Sequence, residues 1–162
     1  MAVSDATANV AANTCPWELV FKRVFDAPRE LVFEAWTDPK HLVHWFGPRG
    51  FTSTIQEMDV RPGGVWRLVM HGPDGVDFHN KMVYLEVVKP ERLVYKHQPE
   101  DGYEPVDFET TVTFLERGEK TELTMRMIFP SAAARDYVVK KHGAVEGANQ
   151  TLARLAEHLR GM

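Results

Sequence analysis

A chain of 162 residues, 44% apolar and 26% charged, suits one globular domain that buries roughly two-thirds of its unfolded surface. A formal charge of −4, with Lys and Arg scattered rather than striped, argues against nucleic acid as the partner. No apolar run approaches the roughly 20 residues that cross a bilayer, and the lone Cys15 cannot form an intrachain disulfide, so a reducing, cytoplasmic setting is expected.

In chain order, residues 1–15 lack both a basic start and a continuous apolar stretch, so they read as a disordered tail of small residues rather than a signal peptide. A single domain is expected over 16–162. Trp17–Phe25 alternates Leu19, Phe21 and Arg23 against Val20, Lys22 and Val24, which is strand patterning. Pro28 suits a first helical position, and Leu31, Val32 and Ala35 then form an apolar stripe. Asp38 is a good N-cap and Pro39 a good first-turn residue, so two short helices abut, Pro28–Trp36 and Pro39–Trp45, with Gly47-Pro48 ending the second.

Strands and tight turns follow. Phe51–Val60 and Val65–His71 flank Arg61-Pro62-Gly63-Gly64, and Gly72-Pro73-Asp74-Gly75 leads to Phe78–Val88. Arg92–His97, Val106–Glu116 and Lys120–Phe129 complete an antiparallel meander. At Ser131 the period becomes helical, Gly143 marks a kink or stop, and Ala144–Leu159 carries Val145, Ala148, Leu152, Leu155 and Leu159 on one face. The expected layout is α+β, an antiparallel sheet with one long helix against it.

Alternation assigns the faces. With Arg67, Lys81, Arg92, Lys96, Glu57 and Asp59 outward, the inner face receives Gln56, Met58, Trp66, Leu68, Met70, Met82, Tyr84, Tyr95 and His97. Phe108 and Thr110 join them from the next strand, and Met125 and Met127 from the last. Glu86 falls on the inward parity, which predicts a bulge or a rim position. Polar tips on an apolar wall suit a small-molecule pocket, or find backbone and water partners in a filled core.

The stretch Ala27-Pro28 through Trp45-Phe46-Gly47-Pro48 resembles the opening of the activator of heat-shock protein 90 ATPase C-terminal-like family, in the START/birch-pollen-allergen-like (SRPBCC) superfamily. The D-x-R-P-G-G-x-W turn (Asp59–Trp66), Met70–Gly75, Glu86–Tyr95 and the closing Glu146–Leu159 are further matches. The resemblance covers about Trp17 to Leu159. It implies a helix-grip fold, a curved antiparallel sheet of about seven strands around a long C-terminal helix, with two short helices after the first strand. Trp36 is then expected in the core, with Trp45 and Phe46 near a cavity entrance.

The expected function is binding of a hydrophobic or amphipathic small molecule or lipid. The expected contacts are Trp45, Phe46, Met58, Trp66, Met70, Met82, Tyr84, Tyr95, His97, Phe108, Met127 and Asn149, with Gln150 facing solvent. An alternative is a cofactor-free cyclase- or hydratase-like enzyme, with His97 as base and Tyr84 as acid. A second is a chaperone-interacting module. Family regulators of the chaperone ATPase carry an additional N-terminal domain that this length does not hold, so direct ATPase stimulation is not expected. No cofactor is expected, and a homodimer is compatible with the sequence. His41 and His44 share a helix face without a third ligand from that helix, so no metal is expected. His71 and His79 are expected to face each other across their hairpin, with Asp74 and Asp77 alongside.

Overall fold

The computed structural model describes residues 9–10, 15–99 and 107–162, with backbone alone for 9 and 10. Its centre is an eight-stranded antiparallel sheet in the order β1-β2-β8-β7-β6-β5-β4-β3. The strands are β1 (Asn9–Val10), β2 (Glu18–Phe25), β3 (Thr52–Met58), β4 (Val65–His71), β5 (Asp77–Val88), β6 (Arg92–His97), β7 (Phe108–Arg117) and β8 (Lys120–Ile128). The helices are α1 (Arg29–Thr37), α2 (Pro39–Leu42), α3 (Ala132–His142) and α4 (Ala144–Leu159). This is the expected α+β helix-grip arrangement, seven full strands and a long C-terminal helix. The addition is β1, whose two residues pair with Lys22 and Phe21 inside the stretch read as a tail. The rest of that stretch, 1–8 and 11–14, lies outside the described residues, as does the predicted strand start at Val106.

The helix boundaries follow local chemistry. Pro28 occupies the N-cap of α1, one residue before the position expected for it. Asp38 caps α2 by accepting from the Lys40 backbone N–H at 2.9 Å, and Pro39 stands at the first position. α2 ends at Leu42 rather than Trp45, and residues 43–45 continue as turns. Ser131 caps α3, whose last residue precedes Gly143 in the left-handed region at φ +58°. That conformation costs glycine little and lets α4 set off in a new direction. In the β3–β4 hairpin a Cβ on Gly64 would lie 1.9 Å from the Asp59 carbonyl oxygen, so no larger residue fits there.

Register converts the alternation into rows of inward side chains. One row runs Met58, Trp66, Met82, His97, Phe108; the next runs Tyr84, Tyr95, Thr110, Met127, Leu19. The register shifts between Tyr84 and Glu86, the bulge anticipated at Glu86, whose carboxylate pairs outward with Arg92 at 3.1 Å. A second shift, between Ile55 and Glu57, corrects the inward placement of Gln56: the bulge absorbs that residue and leaves it exposed. His79 lies opposite Val69, and His71 faces Asp77 instead, with Nδ1 at 2.8 Å from its carboxylate. The two histidines therefore do not meet across the hairpin.

The core lies between the sheet, α1 and the second half of α4. Val32, Phe33, Ala35 and Trp36 of α1 are buried against Phe114 and its neighbours, with the Phe33 and Phe114 rings 5.3 Å apart. Leu152, Leu155 and Leu159 close the other side.

Candidate functional site

The aromatics of 36–51 form a plug. Trp36 and Trp45 meet edge to face at 4.8 Å; Phe46 bridges from Trp45 (5.6 Å) to Trp66 (5.2 Å). Trp66 stacks on Tyr84 at 5.8 Å and meets Tyr95 edge-on at 5.2 Å. Such contacts add specific geometry to the large apolar areas involved. Trp45 is fully buried, and its indole N–H donates to the Ala35 carbonyl at 3.1 Å. This overturns its expected place at a cavity mouth, because that hydrogen bond and the close helix restart at Asp38-Pro39 turn the ring into the core.

Beside the plug lies a cavity of about 200 Å³ between the inner sheet face and the first half of α4. The sheet contributes Met70, Asn80, Tyr95, His97, Phe108, Thr110, Met125 and Met127. Trp36, Phe46, Gly47 and Pro48 form one side, and His142, Ala144, Gly147, Ala148 and Thr151 the other. Of the residues expected to contact a ligand, Phe46, Met70, Tyr95, His97, Phe108 and Met127 therefore line the space.

Trp45, Met58, Trp66, Met82, Tyr84 and Asn149 do not. Trp66, Met82 and Tyr84 are inward as alternation required, but they are packed core, with Phe46 lying against the Trp66 ring. Met58 pairs with Trp66 and is partly buried against the core. Asn149 sits next to Ala148, and its Oδ1 is buried without a hydrogen-bond partner. Gln150, expected to face solvent, is part-buried and accepts from the Arg49 backbone N–H at 3.1 Å. Sequence reasoning put Ala148 on the apolar face of the last helix but assigned neither it nor Ala144, Gly147 and Thr151 to the site. Their 3-4-7 spacing on one helical face was a readable signal.

Burial sets the site's electrostatics. His97 stacks on Phe108 at 4.1 Å, and burial pushes its proton affinity down from the usual 6.5 to about 4, so the ring is neutral at pH 7. Burial raises the Tyr84 and Tyr95 phenols well above their ordinary 10, with a hydrogen bond to Thr110 opposing the shift at Tyr95. Both stay protonated. Trp36 Nε1, Trp66 Nε1, Tyr84 Oη and His97 Nδ1 are buried without partners among the described residues.

A polar clasp holds the 44–51 segment onto α4. One nitrogen of the Arg154 guanidinium donates to the carbonyls of Gly47 (2.9 Å), Pro48 (3.0 Å) and Phe51 (3.2 Å), and the other to that of His44 (3.2 Å). Arg49 pairs with Glu157 at 2.6 Å. His158 Nε2 lies 3.1 Å from His41 Nδ1, and the His44 ring stacks over His158 at 5.5 Å. Burial first, then the two neighbouring imidazoles, lowers the proton affinity of His158. Glu34, Asp38 and His41 bring potential ligand atoms within 4.8 Å of one another, a grouping that α2 alone did not reveal.

A larger hollow, about 420 Å³, lies on the outer sheet face among Lys22, Arg92, Arg126 and three threonines. It is a solvated surface: Arg92 pairs with Glu86, and Arg126 approaches Glu18 at 3.7 Å. The smaller inner cavity is the better candidate, since its wall is mainly apolar and converges from the sheet, the 46–48 segment and α4. Among the described residues, no helix is long and apolar enough to cross a membrane.

The whole architecture recurs in solved structures. Protein CV1439 from Chromobacterium violaceum is 28% identical with a TM-score of 0.78, over 90% of this chain and 98% of that one. Protein NE0264 from Nitrosomonas europaea is 26% identical with a TM-score of 0.78, over 90% and 96%. A protein from Arthrobacter aurescens, 21% identical, shares the fold with a TM-score of 0.86 over 95% and 94%. No curated protein matches the chain. Residues 26–160, from the turn before α1 to the end of α4, match the family described as Activator of Hsp90 ATPase homolog 1-like protein, and the chain belongs to that family.

Proposed function

We propose that the protein binds a compact, mainly apolar small molecule in the cavity between the sheet and the first half of α4. The observation that carries this reading is the cavity itself, an apolar-walled cleft of about 200 Å³, partly open to solvent, beside an otherwise packed core. Protein interiors are packed like organic crystals, with few voids larger than a water. An apolar cavity of roughly 150 Å³ accepts benzene, so this volume suits a one- or two-ring molecule of about a dozen non-hydrogen atoms. A long lipid chain would have to displace Phe46–Pro48 or the start of α4. Space not filled by side chains favours a ligand over a chaperone-docking role for this region. The lone thiol and acidic balance fit a reducing cytoplasm as its setting.

An acid–base enzyme is less well supported. Tyr84, the proposed acid, is outside the cavity wall, and burial makes it a weaker acid still. His97 does face the cavity, but with its proton affinity held down to about 4 it is a weak base.

Titration with a two-ring apolar fluorophore tests the binding reading. Saturable one-to-one binding is expected in the native protein. Ala148→Phe, which puts a ring into the space, should abolish it while leaving the circular dichroism spectrum unchanged. Absence of saturable binding, or binding indifferent to Ala148→Phe, would overturn the reading.

A further inference from the structure

We propose that Glu34, Asp38 and His41 form a binding site for a divalent transition-metal ion of the zinc type, at the break between α1 and α2. Their ligand atoms lie within 4.8 Å of one another, and Glu34 Oε2 is 3.5 Å from His41 Nε2. Zinc binds nitrogen and oxygen at about 2.0–2.2 Å, so neighbouring ligands of a tetrahedral ion stand about 3.3–3.5 Å apart. The Glu34–His41 pair already has that spacing, and a turn of the Asp38 carboxylate closes the rest. Asp38 Oδ1 caps α2 by accepting from the Lys40 backbone N–H, which leaves the second carboxylate oxygen for an ion. Glu34 is half exposed, so an ion reaches the site from solvent. None of the three side chains lines the cavity, so the metal site is separate from the proposed ligand site.

Two features outside the ligand set point the same way. His41 turns its other ring nitrogen, Nδ1, to His158 Nε2 at 3.1 Å. A metal-bound imidazole donates its second N–H to an outer partner, which fixes the ring and bares the lone pair on the ligating nitrogen. His158 on α4 is that partner, a positioning residue that aims His41 Nε2 at Glu34. The other feature is charge. Glu34 lies in the last turn of α1 and Asp38 is its C-cap, at the negative end of a helix whose last turn holds no basic residue. Among the described residues, neither carboxylate forms an ion pair with Lys or Arg. A cation held between them offsets their mutual repulsion and the helix dipole together. The imidazole decides which cation, because magnesium and calcium take oxygen ligands whereas zinc takes nitrogen and oxygen in one shell. Along α2 alone, His41 and His44 lack a third ligand. The fold instead stacks His44 on His158 and gives His41 two carboxylates from the end of α1 and the helix break.

Calorimetric titration of the tag-free, chelator-treated chain at pH 7.5 tests the site, with zinc and magnesium as probes. Zinc should bind saturably at one ion per chain, and magnesium should not. Glu34→Gln and His41→Gln should each weaken zinc by about tenfold or more, since changes to outer partners alone have effects of that size. His71→Gln, which breaks the other histidine–aspartate pair, should leave zinc affinity unchanged. Glu34→Gln is an exposed, isosteric change, so its circular dichroism spectrum should match that of the native chain. In the native protein, where folding is not at issue, zinc should move the His41 Nε2 nitrogen resonance and keep the ring proton on Nδ1. No saturable zinc binding, binding that survives both Glu34→Gln and His41→Gln, an unmoved His41 resonance, or magnesium as tight as zinc would overturn the proposal.

Discussion

The two halves of α4 are one continuous helix with opposite tasks. Its first half presents Ala144, Gly147, Ala148 and Thr151 to the cavity, and none of its residues is fully buried. Its second half drives Leu152, Leu155 and Leu159 into the core, the first two with no exposed surface. Both halves obey the same helical period, so the difference lies in side-chain volume. Large residues complete a packed layer, whereas small ones leave room where the sheet face opposite carries Met and aromatics. The polar clasp acts on the second half and the adjoining segment, where Arg154, Glu157 and His158 anchor residues 41–51. A helix can thus stabilise a domain at one end and keep a cavity open at the other.

The largest effect should come from emptying the packed half. Leu155→Ala should cost about 2–5 kcal/mol of stability, measured by denaturant unfolding, because a deleted buried side chain loses both transfer energy and contacts. Folded protein should still bind the apolar fluorophore. A cost under about 1 kcal/mol would mean that the half is looser than its burial implies.

Acid acts on the cavity side through His97 of β6, on the sheet face opposite the first half of α4. Its folded proton affinity, about 4, lies below the ordinary 6.5, so only the unfolded chain takes a proton between those values. Its contribution is constant above pH 6.5 and is lost as pH falls toward 4, at about one proton, or tenfold in the folding equilibrium, per pH unit. His158, also shifted down, adds in the same direction. Stability measured from pH 7 to 4 should fall less steeply in His97→Leu; an unchanged slope would show that His97 is not buried in neutral form.

The clasp should be worth less. Arg154→Met should lower stability by about 1–2 kcal/mol, since its hydrogen bonds are charge-assisted but its carbonyl partners can recruit water. It should also weaken the fluorophore by loosening Gly47 and Pro48, a change that titration alongside thermal unfolding will separate from stability. Smallest is Gly147→Ala. Its Cβ would meet Pro48 Cγ at 3.4 Å, an ordinary contact, so a gain of about 0.4–1 kcal/mol is expected from helix propensity. The added methyl shrinks the cavity, so fluorophore affinity should fall as the melting temperature rises.

The order of elements along the chain, the turns, the restart at Asp38-Pro39 and the extent of α4 were legible because they depend on local chemistry: caps, turn residues and periodicity. Alternation also identified which side of the sheet Trp66, Met82, Tyr84, Tyr95 and His97 face. It could not say which of them meets open space, because parity carries no information about what another part of the chain lays on top. Phe46 covers Trp66, while Tyr95 and His97 face the small residues of α4 and remain part of a wall. Gln56 escaped the pattern because one inserted residue flips the side chains beyond it. The meeting of His41 with His158 and the capture of four carbonyls by Arg154 span more than one hundred residues of chain. Sequence alone therefore determined the elements and their apolar faces, through interactions a few residues in range. Tertiary structure decided where those faces leave a cavity and which polar atoms they leave unpartnered, because volume and hydrogen bonding are settled between segments distant in the chain.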